Sequence, residues 1–298
     1  MTPAENAQLA LLLEVSGTPK PGNVDRERDL PDLRFEHFLA GAVGAGPGLR
    51  AAEEGAAVGE AFERAVAGMS QQEGGNTQFG ALLLLVPLVR AAADGDEERS
   101  GDEDGNTDLS RERVARVVEN TTVEDAANFY RAFDHAEVYV DDPPEDAEEF
   151  DVRRGSDAIP AVEEQGVTLY EVLELGADGD GDSSGDDMAA EWTDGFERTF
   201  WAADRLAELA GSAPASALGA RVYLELLARE PDTLVAKQHG RKVAESVRVR
   251  AQEALEGGPE VVEAFAEALV ADGVNPGTTA DITAAALFVA LERGEVSV

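Results

Sequence analysis

Thr77-Gln78-Phe79-Gly80-Ala81-Leu82-Leu83-Leu84-Leu85-Val86-Pro87-Leu88-Val89-Arg90-Ala91-Ala92-Ala93 decides the fold class. Alanine and leucine fill most of its interior positions, and both are strong helix formers. Its longest clean apolar run, residues 81–89, is too short to span a bilayer and contains Pro87. The stretch therefore reads as a long apolar helix of a folded core.

Working outward, helical periodicity dominates the rest of the chain. Residues 4–13, 35–43, 49–67, 110–118 and 123–133 read as helices. So do 168–175, 188–209, 216–229, 241–255, 259–271 and 278–293. Ser110-Arg111-Glu112-Arg113 and Thr122-Val123-Glu124-Asp125 each put a hydroxyl N-cap ahead of acids in a first turn. Only residues 136–140 alternate like a strand, and one strand cannot make a sheet. The expectation is an all-α single domain of roughly 10–13 helices.

Composition narrows the setting. The 298 residues carry 61 acids against 24 Lys and Arg, a formal charge of −37, and no cysteine. A charge this high signals either disorder or a solvent that screens the repulsion. Since 43% of the residues are apolar, a core can form, and screening explains the charge better. In molar salt the Debye length is only ~3 Å. The acidity thus points to a salt-rich cytoplasm and not to a basic partner. No basic stripe with interleaved aromatics exists to meet nucleic acid. The N-terminal stretch lacks the basic region and cleavage site of a secretory signal. Disulfides, thiolate zinc sites and thiol nucleophiles are excluded.

Two acidic stretches, residues 94–108 and 177–187, cannot bury apolar surface and read as solvated loops that serve solubility alone. Asp178-Gly179-Asp180-Gly181-Asp182 alternates its acids, but it lacks the bidentate Glu and the spacing of a calcium loop.

Lysine is almost absent. Only Lys20, Lys237 and Lys242 remain, so each retained ammonium calls for a reason. Lys20 sits in Thr18-Pro19-Lys20-Pro21-Gly22-Asn23-Val24-Asp25. Two prolines stiffen this turn, and Gly22 permits a conformation or approach barred to other residues. A flexible point charge in such a turn commonly holds phosphate. The plainer alternative is a helix–helix turn.

Three further segments carry chemistry. In Gly74-Gly75-Asn76-Thr77, the glycines bring backbone N–H groups close to a ligand, and Asn76 or Thr77 caps the helix that follows. That is an anion site, although no Walker lysine follows. Asn275-Pro276-Gly277-Thr278-Thr279-Ala280-Asp281 repeats the same physics near the C-terminus. Asp281 there is either a partner of the helix dipole or a magnesium ligand set against phosphates. Between Asp232 and Gly240 lie an acid, Lys237 and His239, with Arg241 just beyond. They suit phosphate or acid–base work, or else a solvated helix end. His37 follows soon after the Lys20 turn, and His135 has no evident partner.

In this order on an all-α chain, these segments resemble the triphosphoribosyl-dephospho-CoA synthase family. The match runs through Glu14, Thr18 to Asp25, Phe35-Glu36-His37-Phe38, Gly74 to Gly80, Asp232 to Gly240 and Asn275 to Asp281. The middle of the chain, including Glu191-Trp192-Thr193-Asp194-Gly195-Phe196, looks like the archaeal branch. Members that make the citrate-lyase prosthetic-group precursor tend to carry His-Lys after the Asn-Thr pair, where this chain has Gln78-Phe79.

The resemblance implies a reaction that joins ATP to dephospho-CoA and expels adenine. The ribose 2′-hydroxyl of dephospho-CoA attacks C1′ of the ATP ribose, and the triphosphate stays attached. Such a step develops oxocarbenium charge that a carboxylate stabilises, and it benefits from a base for the hydroxyl and a proton for adenine. The triphosphate needs cations and oriented amides. On this reading Glu14, Asp25 and Asp232 are the catalytic carboxylates, and Asp281 and Asp25 hold the expected Mg²⁺. Phosphate and substrate contacts fall to Lys20, Gly22, Asn23, His37, Gly75, Asn76, Thr77, Lys237, His239, Arg241, Gly277 and Thr278.

Two other readings stay open. One is another glycosidic-bond enzyme, either a related one in cofactor biosynthesis or a hydrolase of ADP-ribose linkages. The Lys20 and Asn76 segments argue against the hydrolase, which would need a dense carboxylate metal cluster. The other is a non-catalytic helical ligand-binding protein.

Overall fold

A Thr-Pro-x-Glu start sets the first helix. Thr2 accepts the Glu5 N–H while the Glu5 carboxylate accepts the Thr2 N–H, and Pro3 needs no partner at the first position. The computed structural model describes residues 1–99, 109–141, 143, 147–177 and 185–298. Most of the two acidic stretches, including Asp178 to Asp182, lies outside the described residues.

Among the described residues the chain forms fifteen α-helices and no sheet. They are α1 (Pro3–Ser16), α2 (Phe35–Glu53), α3 (Val58–Met69), α4 (Phe79–Arg99), α5 (Arg111–Glu119) and α6 (Val123–Phe133). Next come α7 (Ile159–Gln165), α8 (Leu169–Ala177), α9 (Asp187–Thr193), α10 (Glu197–Leu209) and α11 (Ala215–Arg229). The last four are α12 (Thr233–His239), α13 (Arg241–Gly257), α14 (Pro259–Asp272) and α15 (Gly277–Glu292).

Two helices without a polar face set the centre. α15 is buried nearly throughout from Thr278 to Ala290, and α4 buries every residue from Ala81 to Val89. A helix that is apolar all round must be enclosed. The two pack against each other, and α1, α2, α3, α10 and α11 surround them. Leu82, Leu84, Leu85 and Leu287 are fully buried here, and truncating one such leucine to alanine costs about 2–5 kcal/mol. A smaller apolar cluster joins α11 to α14 through Tyr223, Leu227, Val247 and Leu269.

Tertiary contacts moved several expected boundaries. The glycines and Pro47 at residues 44–48 do not break α2. A Cβ on Gly44 would lie only 2.2 Å from the Gly68 carbonyl oxygen, so α2 and α3 meet backbone to backbone there. The break falls later, between Glu53 and Val58, where Gly55 takes a positive φ. The expected helix over 188–209 divides at Gly195 and Phe196, both left-handed. The buried Glu191 side chain then caps α10 by accepting the Arg198 and Thr199 N–H groups, each at 3.0 Å. Residues 137–140, which alternate like a strand, form none and bridge to no strand among the described residues. No helix among the described residues is long and apolar enough to cross a membrane.

Candidate functional site

Two turns from opposite ends of the chain dock on each other. Gly22 lies so close to Val274 that a Cβ would stand 2.2 Å from its carbonyl oxygen, and its φ of +77° also favours glycine. Asn23 donates to the Asn275 side chain at 2.9 Å, and the Tyr223 hydroxyl donates to the Pro21 carbonyl at 2.7 Å. Asp232 then ties α12 to α15. Its Oδ1 accepts the Val235 N–H at 3.0 Å, and its Oδ2 accepts the Thr279 N–H at 2.8 Å and hydroxyl at 2.7 Å.

The start of α4 completes the arrangement. Asn76 caps it by accepting the Phe79 N–H at 3.1 Å, and its amide donates to the Glu137 carbonyl at 3.1 Å. The Asp281 carboxyl lies against Gly80, with the Ala81 N–H beside it. All four segments thereby meet at a cavity of about 990 Å³.

Of the expected site residues, Glu14, Asn23, Asn76, Thr77, Lys237, Gly277, Thr278 and Asp281 line this cavity. Lys237 is the one cation among the described lining residues, and Glu14, Glu137, Asp141, Asp151, Asp186 and Asp281 are its acids. Burial raises the Glu14 carboxyl above its usual range, and the neighbouring Lys20 ammonium pulls it back. Burial also pushes Asp281 well up, and the charges of Glu14, Asp232 and Asp186 push it further.

Other expected contacts have different work. Lys20 is not a flexible charge in an open turn. It is fully buried, with its ammonium on Glu14 and on Asn23 Oδ1, and it stands behind the cavity wall. Asp25 is saturated by the Thr18 hydroxyl, the Lys20 and Glu27 N–H groups and Arg28, so it holds the turn and has no site left for a metal. Asp232, buried and fully bonded, clamps two helix starts and does not reach the cavity. His37 faces Arg34 at the start of α2, with its ring against Gly74. Gly75 is exposed and, like Gly22, lies off the cavity wall. His239 and Arg241 are exposed where Gly240, at φ +88°, turns the chain away from the cavity.

Sequence reasoning missed three groups. Asp186 caps α9 through the Met188 N–H at 2.8 Å and pairs with Lys237 at the cavity wall. Asp187 beside it is raised to about 7 by burial, against the pull of Arg198 at 3.0 Å. Both belong to the stretch expected to serve solubility alone, and that expectation does not hold for its last three residues, of which Gly185 and Asp186 line the cavity. The signal was an Asp pair directly before Met188-Ala189-Ala190, a helix start. The third group is Gln78, buried on the cavity wall with an Nε2 that has no partner.

The family model described as ATP:dephospho-CoA triphosphoribosyl transferase matches residues 1–297. A crystal structure from Archaeoglobus fulgidus, provisionally named a triphosphoribosyl-dephospho-CoA synthase, is similar with a TM-score of 0.65. It shares 28% identity over 87% of this chain and 99% of that one. Among curated proteins none matches.

Proposed function

The chain belongs to the ATP:dephospho-CoA triphosphoribosyl transferase family, and from that premise we propose that its cavity joins ATP to dephospho-CoA. The ribose 2′-hydroxyl of dephospho-CoA attacks C1′ of the ATP ribose. A C1′–O bond forms as the C1′–N9 bond breaks. Adenine leaves and takes up a proton, while the triphosphate stays on the transferred ribose. The observation that carries this reading is the meeting of Glu14, Lys237 and Asp281 around one cavity.

Glu14 takes the proton of the attacking hydroxyl, and its charge supports the oxocarbenium-like centre. Lys20 acts through Glu14 as a positioning residue, since its buried ammonium holds that carboxylate in place. Lys237, the start of α4 at Asn76 and Thr77, and the Gly277–Thr278 turn receive the triphosphate.

A magnesium ion fits this wall. The raised Asp281 carboxyl faces acids without a cation of its own, and it would hold the ion. No group of three or more His, Asp or Glu side chains that could hold a metal exists among the described residues. That suits an ion which takes most of its shell from phosphate and water. Bound there, it would supply the positive charge that a triphosphate needs beside one lysine and six acids. The net charge supports a salt-rich cytoplasm as the setting.

Adenine release in molar KCl with Mg²⁺ tests the reading. Adenine should appear with the triphosphoribosylated product only when ATP and dephospho-CoA are both present. No adenine would overturn the proposal, and adenine released without the acceptor would point to hydrolysis.

A further inference from the structure

Lys237 already has a partner in the ligand-free protein. Its ammonium is held by Asp186 at the cavity wall. The Lys237 side chain is 5% exposed and that of Asp186 30%. Water reaches the acid more readily than the ammonium, and a lysine covered in this way calls for an anion beside it.

Asp186 is fixed, and Lys237 can move. Asp186 Oδ1 accepts the Met188 N–H at 2.8 Å, and the Asp186 N–H donates to the Gly176 carbonyl at 3.0 Å. The Asp187 N–H donates to the Thr233 hydroxyl at 3.4 Å, and that hydroxyl donates to Thr278 at 3.3 Å. The starts of α9, α12 and α15 are thereby joined. Oδ2, the oxygen that does not cap α9, meets Lys237. A lysine carries three donors on a flexible four-carbon stem, so it can turn to a second anion.

A phosphate that reaches Lys237 therefore arrives beside an acid that cannot step aside. The charges of Asp186 and Glu14 are also both felt at the Asp281 carboxyl, so the acids of this wall lie within reach of one another. No second lysine or arginine among the described lining residues offsets them. Like charges set side by side exclude a wrong partner. The partner excluded here is a phosphate chain that brings no cation of its own.

We propose that Asp186 is the resident counter-ion of Lys237, that the ligand's phosphate takes the ammonium from it, and that its fixed charge makes the site select a triphosphate complexed with a divalent cation over a bare one. The inference rests on the reaction proposed above, which brings the triphosphate to Lys237. Once the ammonium has turned to the phosphate, Asp186 and the phosphate repel each other, and the ligand's own cation offsets both.

Calorimetric titration of ATP in molar KCl without acceptor, with excess Mg²⁺ or with EDTA, tests the exchange. The wild type should bind ATP at least about tenfold more weakly in EDTA. Asp186→Asn keeps a capping side chain on α9 and removes the charge. In EDTA it should bind ATP about tenfold more tightly than the wild type does, and with Mg²⁺ its affinity should stay within about threefold. Asp186→Ser, also a cap, should behave alike and stands in if the first variant fails to fold. In a Lys237→Met background the gain in EDTA should shrink by at least about threefold, because no ammonium is left to release. Equal wild-type affinities under the two conditions, no gain in EDTA for a folded Asp186 variant, or a gain of undiminished size without Lys237 would overturn the proposal. Weaker binding with Mg²⁺ and no gain in EDTA would make Asp186 an ion ligand instead. Adenine release with dephospho-CoA, measured in parallel, separates the two proposals. The expected gain in EDTA without adenine release defeats the reaction and leaves the counter-ion standing, and adenine release without that gain does the reverse.

Discussion

Asp232 and Asp281 flank the start of the same helix, and they face opposite ways. Both are carboxyls that burial raises above the usual range. Asp232 lies behind the cavity wall, where the Val235 and Thr279 hydrogen bonds draw it back down. Asp281 lies on the wall, where the charges of Glu14, Asp232 and Asp186 add to the effect of burial and a single Ala81 N–H opposes it. A buried acid whose oxygens are all bonded builds the fold. One left short of partners beside a cavity is available to a ligand.

Lys20→Ala should have the largest effect on stability, because it removes one partner of a buried ion pair. The expected loss is about 3–5 kcal/mol near neutral pH. Glu14, without the ammonium that lowers it, would be raised further. A carboxyl raised in the folded state favours folding below its unfolded pKa and loses that advantage as pH rises, so the deficit of the variant should grow with pH. Denaturant titration at pH 5 and pH 8 measures it. A deficit that shrinks toward pH 8 would break the placement of Glu14 among the wall acids.

Asp187 sharpens the same contrast at smaller scale. Its carboxyl, raised to about 7, should weaken folding progressively as pH rises from about 4 to 7. Asp187→Asn removes this term, so melting temperatures should show the variant gaining on the wild type across that window. A gap that does not change with pH would mean that the Arg198 pairing outweighs burial.

Gln78→Met should have the smallest effect, and of opposite sign. Replacing an amide whose Nε2 has no partner with an apolar side chain of similar size should raise the melting temperature of the ligand-free protein by about 2–4 °C. A fall would show that the amide is satisfied by a group in the protein.

The helical class was legible because alanine and leucine recur at helical spacing and because α4 and α15 need no polar face. Element ends were less so. Pro47 among glycines looked like a break, but only the Gly44–Gly68 contact explains why α2 continues. For the site, the sequence order of the four segments identified what would meet, since Gly22, Asn23 and Asp232 make the docking contacts themselves. It did not reveal which acids would face inward. Asp25 and Asp281 both follow Pro-Gly turns, and only the surrounding donors distinguish a saturated carboxylate from one on the wall. Lys20 shows the limit from the cationic side, because scarcity marked it as retained while burial behind Glu14 set its work.

The most direct test is kcat for adenine release and melting temperature measured side by side for Asp281→Asn and Asp232→Asn. The account predicts that Asp281→Asn keeps or raises its melting temperature, because a neutral amide replaces a carboxyl that burial disfavours. Its kcat should fall by about 100-fold or more. Asp232→Asn should melt lower, since its amide cannot accept both Thr279 donors as the carboxylate does, while kcat per folded molecule stays within about threefold. Full activity in Asp281→Asn, or a well-folded Asp232→Asn without activity, would contradict the division between the two acids.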